Sequence, residues 1–344
     1  MTRLIRILFI VGSLIIITAG FYLYQSFYKK PVVTETLEDP YLYIPSGTSY
    51  EGVKDLIKKK GIQINEITFD KTADYMNFIK DPMRSGRYEI EKGWTMVELI
   101  RHLRSGKQAP VNVVLTNERL IEDLAGKVAG YLEPDSMAML QTLTDAGALQ
   151  EIGYTNESLM SLFIPNTYEL YWNTSPRQFV ERMVREHKLF WNRNNRLKKA
   201  KQLGMTTNEV YTLASIVEKE TLRNEERKRM AGVYLNRLRK GMRLQADPTA
   251  VFATRDFDTP RVTNYHTQFD SPYNTYMYAG LPPGPIAMAS IASIDAVLNA
   301  ESHDYLYFCA VGDGSGMHNF ARTLAQHNRN AQIYRDNLKK RGLR

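Results

Sequence analysis

From Ile7 to Tyr24 the chain runs 18 residues without a charge, with Arg3 and Arg6 before the run and Lys29 and Lys30 after it. No other feature narrows the possible folds so sharply. As a helix the run extends roughly 27 Å, close to the ~30 Å hydrocarbon core of a bilayer. Tyr22, Tyr24, Phe27 and Tyr28 supply the aromatic belt expected at one interface. A cleavable signal peptide has a shorter apolar region and small residues at its exit, whereas bulky residues follow here, so the expectation is an uncleaved anchor. Arg3, Arg6 and the terminal amine against Lys29 and Lys30 favour, narrowly, a cytoplasmic N-terminus.

Beyond the anchor, a chain of 344 residues holds one large or two modest domains. The formal charge is +8, from 45 Lys and Arg against 37 Asp and Glu, which favours polyanions: nucleic acid, anionic lipid or acidic wall polymers. No helix-turn-helix, zinc-finger or RNP pattern accompanies the charge, so a nucleic-acid partner is not expected. The single Cys309 excludes an internal disulfide and any multi-cysteine metal site, and its apolar surroundings from Tyr305 to Val311 predict a buried structural thiol.

Residues 31–40 read as a linker. A weak internal duplication follows: Ile44-Pro-Ser-Gly47 leads into a helix with Tyr50, Val53 and Ile57 on one face, and Ile90-Glu-Lys-Gly93 into another with Met96, Leu99 and Leu103. Such strand–turn–helix units resemble the LysM-type carbohydrate-binding module; a generic small α/β domain fits the same pattern. Val111–Thr116 is an expected strand and Leu120–Leu132 a helix. Residues 133–160 are helical but poorly patterned, and Phe163–Tyr168 carries a strand–turn signal. Pro176–Asn192 is a helix that can bury Phe179, Met183 and Phe190. Ile291–Leu298 reads as a helix and Asp304–Val311 as a buried strand. After a turn at 312–316 come a strand over Met317–Ala321 and a basic helix over Leu324–Lys340. Helices and strands mix rather than alternate in βαβ units, so the expected class is α+β.

Thr206-x-x-Glu209 forms a capping box opening a helix that runs to about Leu222. On a wheel, Val210, Leu213, Ala214, Val217 and Thr221 form one apolar stripe, with Glu218 at one margin, Glu220 at the other and Lys219 pointing away. A half-buried carboxyl at such a margin has a raised pKa and keeps a proton near neutrality, as a general acid must. A glutamate there also commonly faces solvent and pairs with a base, and Arg223, Arg227 and Lys228 are all available. The wheel does not choose between the two glutamates.

The stretch that follows is unusually polar. Asn236 and Arg237, in a helix of about Glu225 to Lys240, are candidate donors to sugar hydroxyls, N-acetyl carbonyls or a carboxylate, or else simple caps and salt bridges. Gln245 and Asp247-Pro248-Thr249 suit a tight turn opening a helix, with Asp247 as its cap or as a second catalytic carboxylate. Tyr273, Asn274, Thr275 and Tyr276 combine aromatic faces with hydrogen bonds, and three prolines stiffen Leu281–Pro285 as a possible cleft wall. No H-E-x-x-H and no metal-ligand spacing among His266, His318 and His327 is present, so no metal or other cofactor is expected. Ser215, one turn before Glu218, lacks a Gly-x-Ser-x-Gly elbow and reads as a packing or substrate-contact residue rather than a nucleophile.

Ala214-Ser-Ile-Val-Glu-Lys-Glu-Thr221, Asn236-Arg-Leu238, Asp247-Pro-Thr249, Asp270–Tyr276 and Gly280-Leu-Pro-Pro-Gly-Pro-Ile286, in that order, resemble the YceG-like family of endolytic murein transglycosylases. The resemblance implies that Glu218 is the catalytic acid, that Glu220 orients or supports, and that His318, in a Gly-x-His-x-Phe element, lines the cleft. It implies cleavage of the β-1,4 bond between N-acetylmuramic acid and N-acetylglucosamine with a 1,6-anhydro product. A hydrolase using Glu218 with a second carboxylate, and a non-catalytic wall-binding scaffold, remain alternatives. Two departures stand out: Ile164-Pro-Asn166-Thr-Tyr168 replaces the usual F-P-D-T-Y, and Met288-Ala289-Ser290 stands where many relatives have Asn-Pro-Gly.

The expected organisation is a cytoplasmic tail (1–6), a transmembrane anchor (7–28), a linker (29–40), a LysM-like peptidoglycan-binding module (41–110) and a mixed α+β catalytic domain (111–344). The catalytic domain would lie on the outer, periplasmic side of the inner membrane. Glycan strands would be the substrate and the wall-synthesis machinery the natural partner.

Overall fold

The structure is a computed structural model that describes residues 2–25, 30–34 and 37–343. Phe27, Tyr28 and Lys29, expected at the membrane interface, lie outside the described residues. The apolar run is carried by α1 (Thr2–Tyr24). Within it, Ile5–Tyr24 has mean hydropathy 2.3 and is, by length and composition, able to cross a membrane.

The chain divides into two compact units, one formed by 1–112 with 131–133 and 169–174, the other by 113–130, 134–168 and 175–344. After α1 the first unit contains β1 (Tyr41–Ile44), α2 (Tyr50–Lys59), α3 (Glu66–Tyr75), β2 (Gly86–Glu89) and α4 (Met96–Ser105). The duplicated pattern has a physical basis. Gly47 and Gly93 both turn the chain with positive φ (79° and 89°), which non-glycine residues resist. Two residues later Ser49 and Thr95 cap α2 and α4, the second with a full Thr95–Glu98 capping box. β1 and β2 pair antiparallel, Tyr41 opposite Glu89 and Ile44 opposite Gly86. Alternation then turns Leu42 and Ile44 onto Val53, Ile57, Tyr88, Leu99 and Leu103. The periodicity does not anticipate α3, whose Phe69 and Ala73 complete this core.

The remaining elements are β3 (Val111–Leu115), α5 (Ile121–Ala129), α6 (Ser136–Leu143), α7 (Ala146–Ile152), β4 (Asn166–Leu170), α8 (Pro176–Asn192) and α9 (Arg196–Leu203), followed by α10 (Thr207–Glu220), α11 (Asn224–Arg239), α12 (Asp247–Thr254), α13 (Asn264–Thr267) and α14 (Ile291–Leu298), and finally β5 (Tyr307–Ala310), β6 (His318–Ala321) and α15 (Leu324–Lys340). The described strands pair only in twos, β1–β2, β3–β4 and β5–β6, in an otherwise helical chain, so the class is a helix-rich α+β.

The core of the second unit is α10. Every residue from Val210 to Val217 is buried, so the helix is enclosed all round rather than along the single stripe the wheel suggests. It packs against α9, α11 and α14, whose Ala200, Met230, Tyr234, Ile294 and Val297 join its apolar side chains. Two further expectations change. β5 is half-buried along its length, Cys309 included, because α15 covers it without a buried residue of its own. Asp247 is the first residue of α12, not its cap; Ala246 holds that place and offers no side-chain bond.

Leu99 is fully buried in the first unit, and its truncation leaves a cavity. Leu99→Ala is expected to cost about 2–5 kcal/mol in urea unfolding, against less than about 0.5 kcal/mol for Ile67→Ala, which is 69% exposed.

Candidate active site

Tyr211, Ser215 and Glu218 lie at i, i+4 and i+7 of α10 and therefore share one face. All three bond the irregular segment 286–290. Ser215 Oγ accepts the Ile286 N–H at 3.0 Å, Tyr211 Oη accepts that of Ala289 at 3.1 Å, and Glu218 Oε2 accepts that of Ser290 at 3.2 Å. The Met288 N–H turns instead to the Glu118 carbonyl, at 2.8 Å. A buried backbone lying against a helix must have its donors satisfied, and these side chains do so. Ser215 is fully buried and its hydroxyl also donates to the Thr212 carbonyl, so in this structure it packs α10 against the segment.

Glu218 closes this face, half-buried near the end of α10. Its Oε1 accepts from Arg227 Nη2 at 3.1 Å; its Oε2 accepts from the hydroxyls of Ser290 and, at 2.7 Å, Ser293. Ser290 is at once the N-cap of α14 and the acceptor of an Arg227 Nη1 bond at 2.9 Å. Burial pushes the Glu218 carboxyl up, but the two hydroxyls, the Arg227 charge and the Ser290 amide outweigh it and hold the group below the usual carboxylate range. The expectation of a raised pKa at Glu218 is thus reversed, because a margin position on a wheel says nothing of donors arriving from α11 and α14. Arg227, Ser290 and Ser293 are the residues that sequence reasoning missed. Arg227 stood among three equivalent bases, and Ser290 was visible only as a departure from the Asn-Pro-Gly pattern.

Glu220 has the opposite character. Burial first, then the charge of Asp247, push its carboxyl up to about 7 against the pull of Tyr234 and Arg237. Tyr234 Oη donates to Glu220 Oε2 at 3.2 Å, and Tyr276 Oη donates to Asp247 Oδ1.

The other expected contacts divide sharply. Thr249, Asn274 and Thr275 are fully buried. The Thr249 and Thr275 hydroxyls meet at 2.8 Å, and Thr275 Oγ1 also accepts the Ala246 N–H. Asn274 Nδ2 donates to the His266 and Phe269 carbonyls. Asn236 Nδ2 donates to the carbonyls of His303 and Tyr305; Arg237, also buried, donates to those of Leu306 and Leu244. These five are framework residues, their donors consumed by neighbouring loops. Gln245 is exposed at φ 48°, its N–H bonded to the Thr275 carbonyl. His318 Nδ1 lies 2.8 Å from buried Glu226, tying β6 to α11, and its ring lines neither cleft described below.

Tyr273 and Asp247 do face open clefts. One, of about 200 Å³, is lined by Arg119, Lys219, Asp247, Phe252, Phe257 and Ile286. Lys219, expected to point away, is therefore a wall of it; burial and then Arg119 lower its pKa, partly offset by Glu218 and Glu118. A second, of about 300 Å³, shares Arg119 and Phe252 with the first and adds Arg255, Tyr273, Glu157 and Pro285. Its proline-rich wall sits close because residue 284 is glycine: a Cβ there would overlap the Glu157 carbonyl. No group of three or more His, Cys, Asp or Glu able to hold a metal occurs among the described residues.

The model of the YceG-like family matches residues 42–333. The chain belongs to the YceG-like family. A Bacillus subtilis protein named endolytic murein transglycosylase is 28% identical over 93% of this chain and 91% of its own length. A Streptococcus pneumoniae protein of the same name is 27% identical over 83% of this chain, which spans 57% of that longer relative. The crystal structure of a YceG-like protein from Listeria monocytogenes superposes with a TM-score of 0.57 at 28% identity, covering 84% of this chain and 97% of that one.

Two measurements check the electrostatics of this YceG-like site. Ser290→Ala removes a donor to Glu218, so carbon-detected NMR of labelled glutamates should show Glu218 titrating at higher pH, with about 1 kcal/mol of stability lost with the cap of α14. Glu220 has a folded pKa above its ordinary 4.5, so its contribution to stability is complete below about pH 4.5 and is lost as pH rises to about 7. Glu220→Gln is expected to flatten that fall in urea midpoints measured from pH 4.5 to 8.

Proposed function

We propose that this chain is a membrane-anchored lytic transglycosylase that cuts peptidoglycan strands internally, with Glu218 as its catalytic residue. The observation carrying this reading is the Glu218 carboxylate, fixed by Ser290, Ser293 and Arg227 on the helix whose next residue lines a basic and aromatic cleft. Relatives named endolytic murein transglycosylase support the reaction class.

The substrate bond is the β-1,4 link from N-acetylmuramic acid to N-acetylglucosamine. Glycan bound against Glu218 excludes water from it, which raises its proton affinity above that of the open site. Protonated Glu218 donates to the leaving glycosidic oxygen, the C1–O bond breaks, and positive charge develops at the muramyl anomeric carbon with assistance from the N-acetyl group. Glu218, now a carboxylate held by its four donors, takes the proton of the C6 hydroxyl as that oxygen closes on C1. The product is a 1,6-anhydro ring. A single group acting as acid and then base needs no second carboxylate, and the intramolecular nucleophile has a high effective concentration. The framework of Asn236, Arg237, Thr249, Asn274 and Thr275 shapes the loops around the two clefts, while Asp247 and Tyr273 supply polar groups to one each and Gln245 and Tyr276 stand as further glycan contacts in this proposal. Glu220 and His318 support the framework from α10 and β6.

Residues 41–110, within the first compact unit, are in this proposal a LysM-like glycan-binding module. α1 spans the membrane with the remainder outside, so that nascent strands are cut and terminated beside the synthesis machinery. A hydrolase is the second reading, favoured by one observation: the exposed Asp247 carboxylate lines the same cleft as Lys219.

Mass spectrometry of peptidoglycan digested by the full chain in detergent separates these outcomes. Muropeptides ending in 1,6-anhydro-muramic acid are expected, with a rate loss of roughly 10²–10⁴-fold for Glu218→Gln. Reducing ends that depend on Asp247 would instead establish the hydrolase, and an intact glycan with the folded protein would leave a wall-binding scaffold.

A further inference from the structure

Arg119 and Lys219 stand on the wall of one cleft, both half-buried, and neither side chain makes an ion pair or hydrogen bond with any described residue. Carboxylates nearby are already engaged. Glu118 binds Lys127 at 2.5 Å, Glu218 binds Arg227, and Asp247 accepts from Tyr276. A protein that only needed to stabilise this fold would have little reason to keep two cations together with no carboxylate bonded to either, since partial burial penalises each and their proximity penalises both. Arg119 is moreover held in place: its guanidinium lies 4.4 Å over the Phe257 ring. That contact holds the guanidinium at the ring while its N–H groups make no hydrogen bond to a described residue, leaving them for a planar, two-oxygen acceptor.

We propose that this cleft is the subsite for a carboxylate carried on the muramyl substituent of the glycan, bound by Arg119 with Lys219 beside it. The inference rests on the glycan-cleaving reading above and adds what that reading leaves open, the part of the substrate that is recognised. Its volume of about 200 Å³ suits a short acidic substituent, and Phe252, Phe257 and Ile286 supply apolar surface for the aliphatic part. Its location suits the chemistry too. Lys219 directly follows Glu218, and the Ile286 N–H is bonded to Ser215 on the same face of α10. An uncharged N-acetylglucosamine polymer would leave both cations unpaired. A muramyl polymer brings a carboxylate from one of two sources, the lactyl group where no peptide is attached or the stem peptide where one is.

The test is binding to the full chain in detergent, with Glu218→Gln present throughout to stop turnover. Three probes are titrated by calorimetry: chitotetraose, a peptide-free GlcNAc–MurNAc tetrasaccharide, and the same tetrasaccharide bearing stem pentapeptides. Adding Arg119→Gln is expected to weaken a carboxylate-bearing probe by roughly tenfold to a hundredfold while chitotetraose is unchanged, and to reduce the salt dependence of binding. Arg119→Lys keeps the charge but not the fork and should fall between. A loss confined to the peptide-free probe assigns the lactyl carboxylate, and one confined to the peptide-bearing probe assigns the stem. An equal loss on all three probes, or no loss on any, overturns the proposal while leaving the glycan-cleaving reading standing. Failure of all three to bind when Arg119 is intact overturns both. A thermal unfolding transition shared by all variants guards against misfolding as the cause.

Discussion

One buried helix organises the second unit through hydrogen bonds to a segment that has no secondary structure of its own. Along 286–290 the chain is irregular and largely buried, and its N–H groups need acceptors. Tyr211, Ser215 and Glu218 provide them from successive turns of α10, polar tips along its largely buried length. That arrangement sets the position of Ser290, hence the start of α14, hence the hydroxyls that return to Glu218. The same hydrogen bonds that hold the segment therefore assemble the site. A change at Ser215 or Tyr211 would reach Glu218 without touching it.

Three carboxyls near the end of α10 show how environment, rather than residue type, divides roles. Glu218 is burdened by burial but surrounded by donors, and its ionised form prevails. Glu220, two residues on, is crowded by aromatic rings and the charge of Asp247, and is pushed up to about 7. Asp247 is open to solvent and bonded by Tyr276. A donor-rich resting state favours the step in which Glu218 must be a base, so in the proposed reaction its acid step depends on substrate excluding water from it.

Much of the local structure was legible from residue chemistry. The Thr206–Glu209 box opens α10, and Pro176 begins α8 at its first position behind the Ser175 cap. Positive-φ glycines and Ser or Thr caps recur at equal offsets in the two halves of the first unit. Local rules succeed here because capping and turn formation involve partners three or four residues away. Where they failed, the partner was remote. Ser290 reaches Glu218 across 72 positions, and Asn236 reaches the His303 carbonyl across 67. Polar residues that looked suited to sugar proved to be spent on loops, since a buried amide and a substrate-facing amide have the same composition. One signal was available: Tyr, Ser and Glu at i, i+4 and i+7 of a buried helix mark a polar seam that something must cover.

By itself the sequence determined the membrane-length apolar helix, the α+β class, the bounds of the strongly patterned elements such as α8, α10 and α14 and, through its ordered motifs, membership in the YceG-like family. Those depend on composition, short-range periodicity and the order of residues along the chain. Tertiary structure alone decided which acid is ionised, which motif residues are framework, and that Arg119 and Lys219 share an unpaired cleft. The physical reason is that protonation and hydrogen bonding respond to everything within a few ångströms, and at this site those neighbours come from α10, α11, α14 and the 286–290 segment, which only folding brings together.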